Sequence, residues 1–203
     1  MNIVKDAHRV VVKVGSSTLT HETGKLNLRH MERLTQALSD FKNAGKEIIL
    51  VTSGAVSAGR SKLGVDHRPA SIEEKQAMAA VGQTELMRTY DRFFSRYGHT
   101  VAQILITRNS IEKEVSRTNA ENTFRRLLQM GCIPIVNEND TVAYDEIEFG
   151  DNDTLSAHVA VLAHADVLIN LSDIDGFYSA DPHTDPTAAL IPTVPVIDDS
   201  VYA

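Results

Sequence analysis

The chain has 203 residues, 42% hydrophobic and 23% charged, with a formal net charge of −7. That is a globular composition, enough for one sizeable core or two small ones, and its acidic balance excludes the basic face on which a phosphate-backbone binder depends. No apolar run reaches the roughly 20 residues that span a bilayer. Met1–Arg9 lacks the apolar stretch of a signal peptide, and one cysteine, Cys132, cannot form an internal disulfide. A cytoplasmic protein with no membrane and no nucleic-acid partner is expected.

In chain order, Arg9–Val14 reads as a first strand. Leu28, Met31, Leu34, Leu38 and Phe41 then recur at helical spacing, and Gly45 can end that helix. Glu47–Thr52 is a second strand. Ser71 with Glu74 forms a capping box that opens a helix ahead of a third strand, Val101–Ile106. Thr118 with Glu121 forms another capping box, and Gly131 closes the helix it opens. Ile133–Val136 is a fourth strand, with Cys132 before it as a small buried hydrophobe. Thr154 to His164 reads as a helix with Asp151 or Asp153 near its start, and Val167–Leu171 as a fifth strand. Pro182, Pro186, Pro192 and Pro195 make Asp181–Pro195 a loop-rich excursion. The strands are rich in Val and Ile with few alternating polar residues, as strands covered on both faces are. Strand alternating with helix predicts a mainly parallel α/β sheet in one domain.

Ligands of open parallel sheets sit beyond the carboxyl ends of the strands. Polar or glycine-rich segments follow four of the five runs: Gly15-Ser16-Ser17, Ser53-Gly54-Ala55, Asn137-Glu138-Asn139-Asp140, and Ser172-Asp173 through Gly176. Lys13 lies inside an apolar strand, which leaves two readings. Either it snorkels from an edge strand, or it is a cation aimed at phosphates, with Gly15 admitting a ligand close to the backbone. Gly54–Ser61 nearly matches a P-loop but carries Arg60 where the pattern needs lysine. It reads as an amide nest suited to a carboxylate or phosphate, or as a plain strand-to-helix turn. Asn137–Asp140 and Gly150-Asp151-Asn152-Asp153 flank Thr141–Phe149, a candidate flap or hairpin. Together they offer carboxylates for an ammonium group and amides for a carboxylate. The competing readings are a solvated acidic face and a calcium loop, although the order of acids does not match an EF-hand. The eight histidines show no zinc spacing, and His158 and His164 do not share a helix face.

Six segments in this order resemble the amino acid kinase family and cover nearly the whole chain: Val11–Ser16, Leu50–Ala55, Ala79–Gln83, Pro134–Asp140, Gly150–Asp153 and Ser172–Gly176. The pairing of Asn-Glu-Asn-Asp with Gly-Asp-Asn-Asp is specific to the branch that acts on free glutamate. The resemblance implies a three-layer αβα sandwich and ATP-dependent phosphorylation of the L-glutamate γ-carboxylate, assisted by Mg²⁺. The product, γ-glutamyl phosphate, would serve proline synthesis, with proline a candidate feedback inhibitor and a homo-oligomer expected. By the same resemblance Lys13 sits on the transferred phosphoryl group and Asp153 orients it. Ser53, Asp140 and Asn152 hold glutamate, with Gly54 and Asn137 as further candidates, while Gly15, Ser172 and Asp173 border the nucleotide. A substrate carboxylate is already a nucleophile, so positioning and charge neutralisation supply the rate.

Two alternatives remain. One is a related kinase of acetylglutamate, aspartate or carbamate, against which the pairing of Asp140 with Asn152 favours a free ammonium group. The other is a non-catalytic glutamate- or proline-binding fragment, distinguished by ATP binding. The family continues to a glycine-rich segment ending in Thr-Lys and often to a PUA-type domain, and neither lies within these residues. Asp198, Asp199 and Ser200 read as a helix start that Ala203 cuts short. The resemblance therefore implies a kinase domain incomplete at its C-terminal end, one that binds ATP poorly and does not turn over by itself.

Overall fold

The structure, a computed structural model, describes residues 3–142 and 152–197. Most of the Thr141–Phe149 segment, Gly150, Asp151 and the helix start at Asp198 lie outside the described residues. The chain divides into two compact units, Met1–Leu171 and Ser172–Ala203.

The first unit runs α1 (Ile3–Asp6), β1 (Arg9–Val14), α2 (Ser16–Leu19), α3 (Leu28–Asn43), β2 (Glu47–Val51), α4 (Ala55–Leu63) and α5 (Ile72–Ser95). It continues through β3 (Val101–Ile106), α6 (Arg108–Glu112), α7 (Glu114–Gln129), β4 (Ile133–Glu138), α8 (Asn152–Leu162) and β5 (Val167–Leu171). Among the described residues, its five strands form a parallel sheet in the order β3-β4-β2-β1-β5. Every carboxyl end therefore lies on one edge. In the second unit, β6 (Phe177–Tyr178) pairs antiparallel with β7 (Leu190–Ile191), so the proline-rich stretch includes a short strand.

Side chains alternate across a strand, and that alternation builds the layers. Val10, Val12 and Val14 of β1 join Ile48, Leu50, Ile133 and Ile135 in one buried cluster with Met31 and Leu38 of α3, Ala55 and Ala58 of α4, and Leu86, Tyr90 and Phe94 of α5. Val11, Ile49, Val51, Ile106 and Val136 face the other way, onto Phe124 and Leu128 of α7 and Leu155 and Val159 of α8. Two helical layers thus enclose the sheet in an αβα sandwich. Lys13 has the parity of Val11, so it emerges on the α8 side.

Helix starts agree with the sequence in part. Ser71 Oγ accepts from Glu74 N–H at 3.2 Å and opens α5, while the Glu74 carboxylate reaches back to Ala70 N–H at 2.7 Å. The capping box at Thr118 is a correction: α7 starts at Glu114 from Lys113, which makes no side-chain cap, and Thr118 lies inside the helix. α8 starts at Asn152 and ends at Leu162, leaving His164 beyond it at φ 50°. α4 and α5 cross with backbones in contact. A Cβ on Gly59 would stand 1.8 Å from Met78 O, and one on Gly82 would stand 1.7 Å from Ala55 O.

Candidate active site

β1 is not an edge strand. Lys13 stands in register with Val51 of β2 on one side and Asn170 of β5 on the other, and it is 4% exposed. An ammonium so placed needs a compensating anion. Asp153, in the first turn of α8, supplies it, with Oδ1 2.8 Å from Lys13 Nζ. The Asp153 side chain stays 55% exposed, so the pair is open to solvent from its acidic side. Gly15 follows the strand, and a Cβ there would lie 3.7 Å from Lys13 Nζ.

The neighbouring residue, Asn152, ties two strand ends together, those of β2 and β4. Its Nδ2 donates to Thr52 O at 2.6 Å, to Ser53 Oγ at 2.7 Å and to Asn137 Oδ1 at 3.0 Å. Asn137 Oδ1 also accepts from the backbone N–H of Glu138 at 2.9 Å, and its Nδ2 donates to Gln83 Oε1 at 2.9 Å. Thr52 Oγ1 and the Tyr90 hydroxyl share a buried hydrogen bond of 2.8 Å, and burial pushes the Tyr90 hydroxyl pKa far up, so it stays protonated.

Beside this hub lies a cavity of about 310 Å³ lined by Ser16, Ser53–Ser57, Lys75, Asn137, Glu138, Asp140 and Asn152. That volume is at the small end of ligand sites, the scale of an amino acid. Gly54 caps α4 in the left-handed region at φ 93°, which turns the first amides of α4 toward the cavity rim. Those amides and the helix dipole favour an anion. On the acidic side, burial raises the Asp140 carboxyl above the usual aspartate range, and the Lys75 charge pulls it back. Glu138 is raised too, by burial first and then by the Asp140 charge, again opposed by Lys75. The cavity thus holds carboxylates and a lysine in one small volume, a chemistry suited to a zwitterion. Among the described residues, no three His, Cys, Asp or Glu side chains converge on a metal site.

The sequence model of the amino acid kinase family matches residues 8–201, which includes parts of both units. The chain belongs to the amino acid kinase family. It is 52% identical over 195 residues to the glutamate 5-kinase of Clostridium perfringens (strain 13 / Type A), covering 94% of this chain and 72% of that protein. Against the glutamate 5-kinase of Listeria innocua serovar 6a (strain ATCC BAA-680 / CLIP 11262), the match is 52% identical and covers 98% and 74%. Against that of Carboxydothermus hydrogenoformans (strain ATCC BAA-161 / DSM 6008 / Z-2901), it is again 52% identical, and the chain spans 54% of the relative's length.

For this member of the amino acid kinase family, the structure brings Ser53, Gly54, Asn137, Asp140 and Asn152 to one cavity and joins Lys13 to Asp153. Ser172 and Asp173 belong to the second unit, where Ser172 Oγ donates to Asp173 Oδ1 at 3.1 Å. Arg60, the near-match to a P-loop lysine, packs its guanidinium under the turn at Gly24, where a Cβ would come within 2.9 Å of Nη2. Sequence reasoning did not single out Lys75 or Glu138 as lining residues. Lys75 carries one legible signal: a cation near a helix N-terminus runs against the helix dipole and calls for a reason. No described helix is long and apolar enough to cross a membrane.

Proposed function

We propose that this chain carries the glutamate site and the phosphoryl-transfer lysine of a glutamate 5-kinase. The observation that carries the reading is the start of α8. Asn152 lines the amino-acid-sized cavity while its neighbour Asp153 holds Lys13, so one helix turn joins a substrate site to a phosphate-directed cation. In this reading Asp140 takes the substrate ammonium. Ser53, Gly54, Asn137 and Asn152 hold the rest of L-glutamate, and Gly15, Ser172 and Asp173 border ATP.

A γ-carboxylate oxygen attacks the γ-phosphorus of ATP, the bond from that phosphorus to the bridging oxygen of ADP breaks, and γ-glutamyl phosphate and ADP leave. No proton is removed from the nucleophile, so no general base is needed. Lys13 neutralises charge on the migrating phosphoryl oxygens, and the ion pair with Asp153 fixes where that charge stands. Mg²⁺ brought in with ATP would supply further neutralisation of phosphate charge. Proline shares the α-ammonium and α-carboxylate of glutamate, which supports inhibition at the same cavity. A cytoplasmic homo-oligomer completes the proposal and rests on the family alone, as does the treatment of both units as parts of one kinase domain.

The test is a phosphoryl-transfer assay on the full protein that carries this chain, with the acyl phosphate trapped by hydroxylamine as its hydroxamate. L-glutamate should be the preferred acceptor over N-acetylglutamate and aspartate. Preference for the acetylated acid would move the protein to a sister activity, and absence of Mg·ATP binding would leave a binding fragment.

A further inference from the structure

Among the described residues, Lys75 is the one cation that lines the amino-acid-sized cavity, and the reading above gives it no part. It is half-buried near the start of α5 and shares the cavity wall with Glu138 and Asp140. Its charge draws both carboxyls down, against the burial that raises them, so it stands within electrostatic reach of each. We infer that Lys75 is a further substrate-binding residue, the cation that receives the α-carboxylate of the amino acid. The inference rests on the glutamate reading above and extends it.

The order of the strands gives the cavity a direction. β2 lies between β1 and β4, so the cavity runs from Ser16, just past β1, through Gly54, past β2, to Glu138 and Asp140 at the end of β4. Ser16 and Gly54 are neighbours, since a Cβ on Gly54 would lie 4.0 Å from Ser16 Cβ. The γ-carboxylate must meet the phosphoryl group that Lys13 of β1 neutralises, so it belongs at the β1 end, where the α4 amides also favour an anion. The ammonium belongs at the β4 end, on Asp140. Ammonium and α-carboxylate hang from one carbon, so the α-carboxylate comes to the β4 end too. There two acids repel it, and an ammonium that satisfies Asp140 does nothing for the carboxylate beside it. Lys75 supplies the opposite charge at that end. A lysine close to a helix amino end also opposes the helix dipole, and a bound carboxylate offsets that cost. The pairing makes the site selective for acceptors that carry a charged carboxylate on the carbon bearing the ammonium.

Lys75→Met and Lys75→Arg in the full protein that carries this chain test this, with a melting curve for each. Calorimetric titration compares L-glutamate with isoglutamine, in which an uncharged amide replaces the α-carboxylate and the γ-carboxylate is kept. Wild type should bind glutamate about thirtyfold more tightly than isoglutamine. Lys75→Met should bind glutamate about tenfold more weakly and isoglutamine within about threefold of wild type, so most of the preference disappears. Lys75→Arg keeps the charge and should hold glutamate to within about threefold of wild type. Unchanged glutamate affinity in Lys75→Met overturns the inference. So does equal weakening of both ligands, which is what general damage to the cavity would produce, or a Lys75→Arg protein as impaired as Lys75→Met. If the wild-type protein does not bind glutamate, the functional reading fails and this inference falls with it. Wild-type glutamate binding that ignores the loss of Lys75 sinks this inference alone.

Discussion

Lys13 has given up nearly all of its water, and Asp153, 2.8 Å away, replaces it on one side. Replacing Lys13 by Ala should lower kcat by about 10²-fold or more, roughly 3 kcal/mol of transition-state stabilisation, with little change in glutamate KM. Parallel titrations of rate against each substrate check this, and a near-normal kcat removes Lys13 from the chemistry. In the proposed reading Asp140 acts on binding. Asp140→Asn should raise glutamate KM tenfold or more, because an unmatched ammonium in a partly buried site costs about 2–5 kcal/mol. Burial raises the Asp140 carboxyl, so the ionised form that binds ammonium is lost at a higher pH than for an ordinary aspartate. Glutamate KM should climb as pH falls through that raised value, an acid limb shared with Glu138 and moderated by Lys75, and Asp140→Asn should alter that limb. The sign for stability is the reverse. A carboxylate with a raised folded pKa destabilises the fold above that pKa, and the penalty disappears below the unfolded value. The unliganded Asp140→Asn protein should therefore melt no lower than wild type at neutral pH. A lower melting temperature would assign the KM effect to misfolding. Lys13 stood out in the sequence because a lysine in an apolar strand breaks a local rule, as do acids clustered after strands, whereas the roles given to Asp140 and Asn152 came from the family resemblance.

Between elements, the packing of α4 on α5 sets where the cavity rim stands. Gly82 lies against Ala55, the first residue of α4, and a methyl there would meet the Ala55 carbonyl at 1.7 Å. Gly82→Ala should force the helices apart, lower stability by about 1–3 kcal/mol or more, and weaken glutamate binding as the α4 amides shift. Urea unfolding with glutamate titration checks both, and unchanged stability would show that the crossing relaxes freely. The strands were readable because β1, β2 and β4 are buried on both faces and show it as runs of Val and Ile. The start of α7 was not, because Lys113 contributes no side-chain cap and the acidic Glu114 in the first turn is a weaker cue than a capping box. Thr118 and Glu121 offered the right residues at the right spacing inside a helix that had already begun.

For the first unit as a whole, alternation of strand and helix announced a parallel sheet, but the order β3-β4-β2-β1-β5 was not contained in any local pattern. Strand order depends on pairings between distant segments, and a single sequence shows composition and period only. The order has a measurable consequence. β1 and β2 are paired on both sides, whereas β3 pairs only with β4 among the described residues. Amide hydrogen exchange should be slowest in Val10–Val14 and Ile48–Val51 and faster in Val101–Leu105. Equal protection of β3 would mean that its outer edge is covered.

β1 sits between β2, made soon after it, and β5, which ends at Leu171. On a ribosome moving at about 5–20 residues per second, the second neighbour of β1 arrives on the order of ten seconds after the first. For most of that interval Lys13 has neither Asn170 beside it nor Asp153 before it. The nascent chain thus carries an open strand edge with a lysine in it, and a charge at an open edge discourages pairing with the wrong strand. The residue proposed to steady a migrating phosphoryl group would then have an earlier task in the life of each molecule, keeping the first strand available until its partner is made.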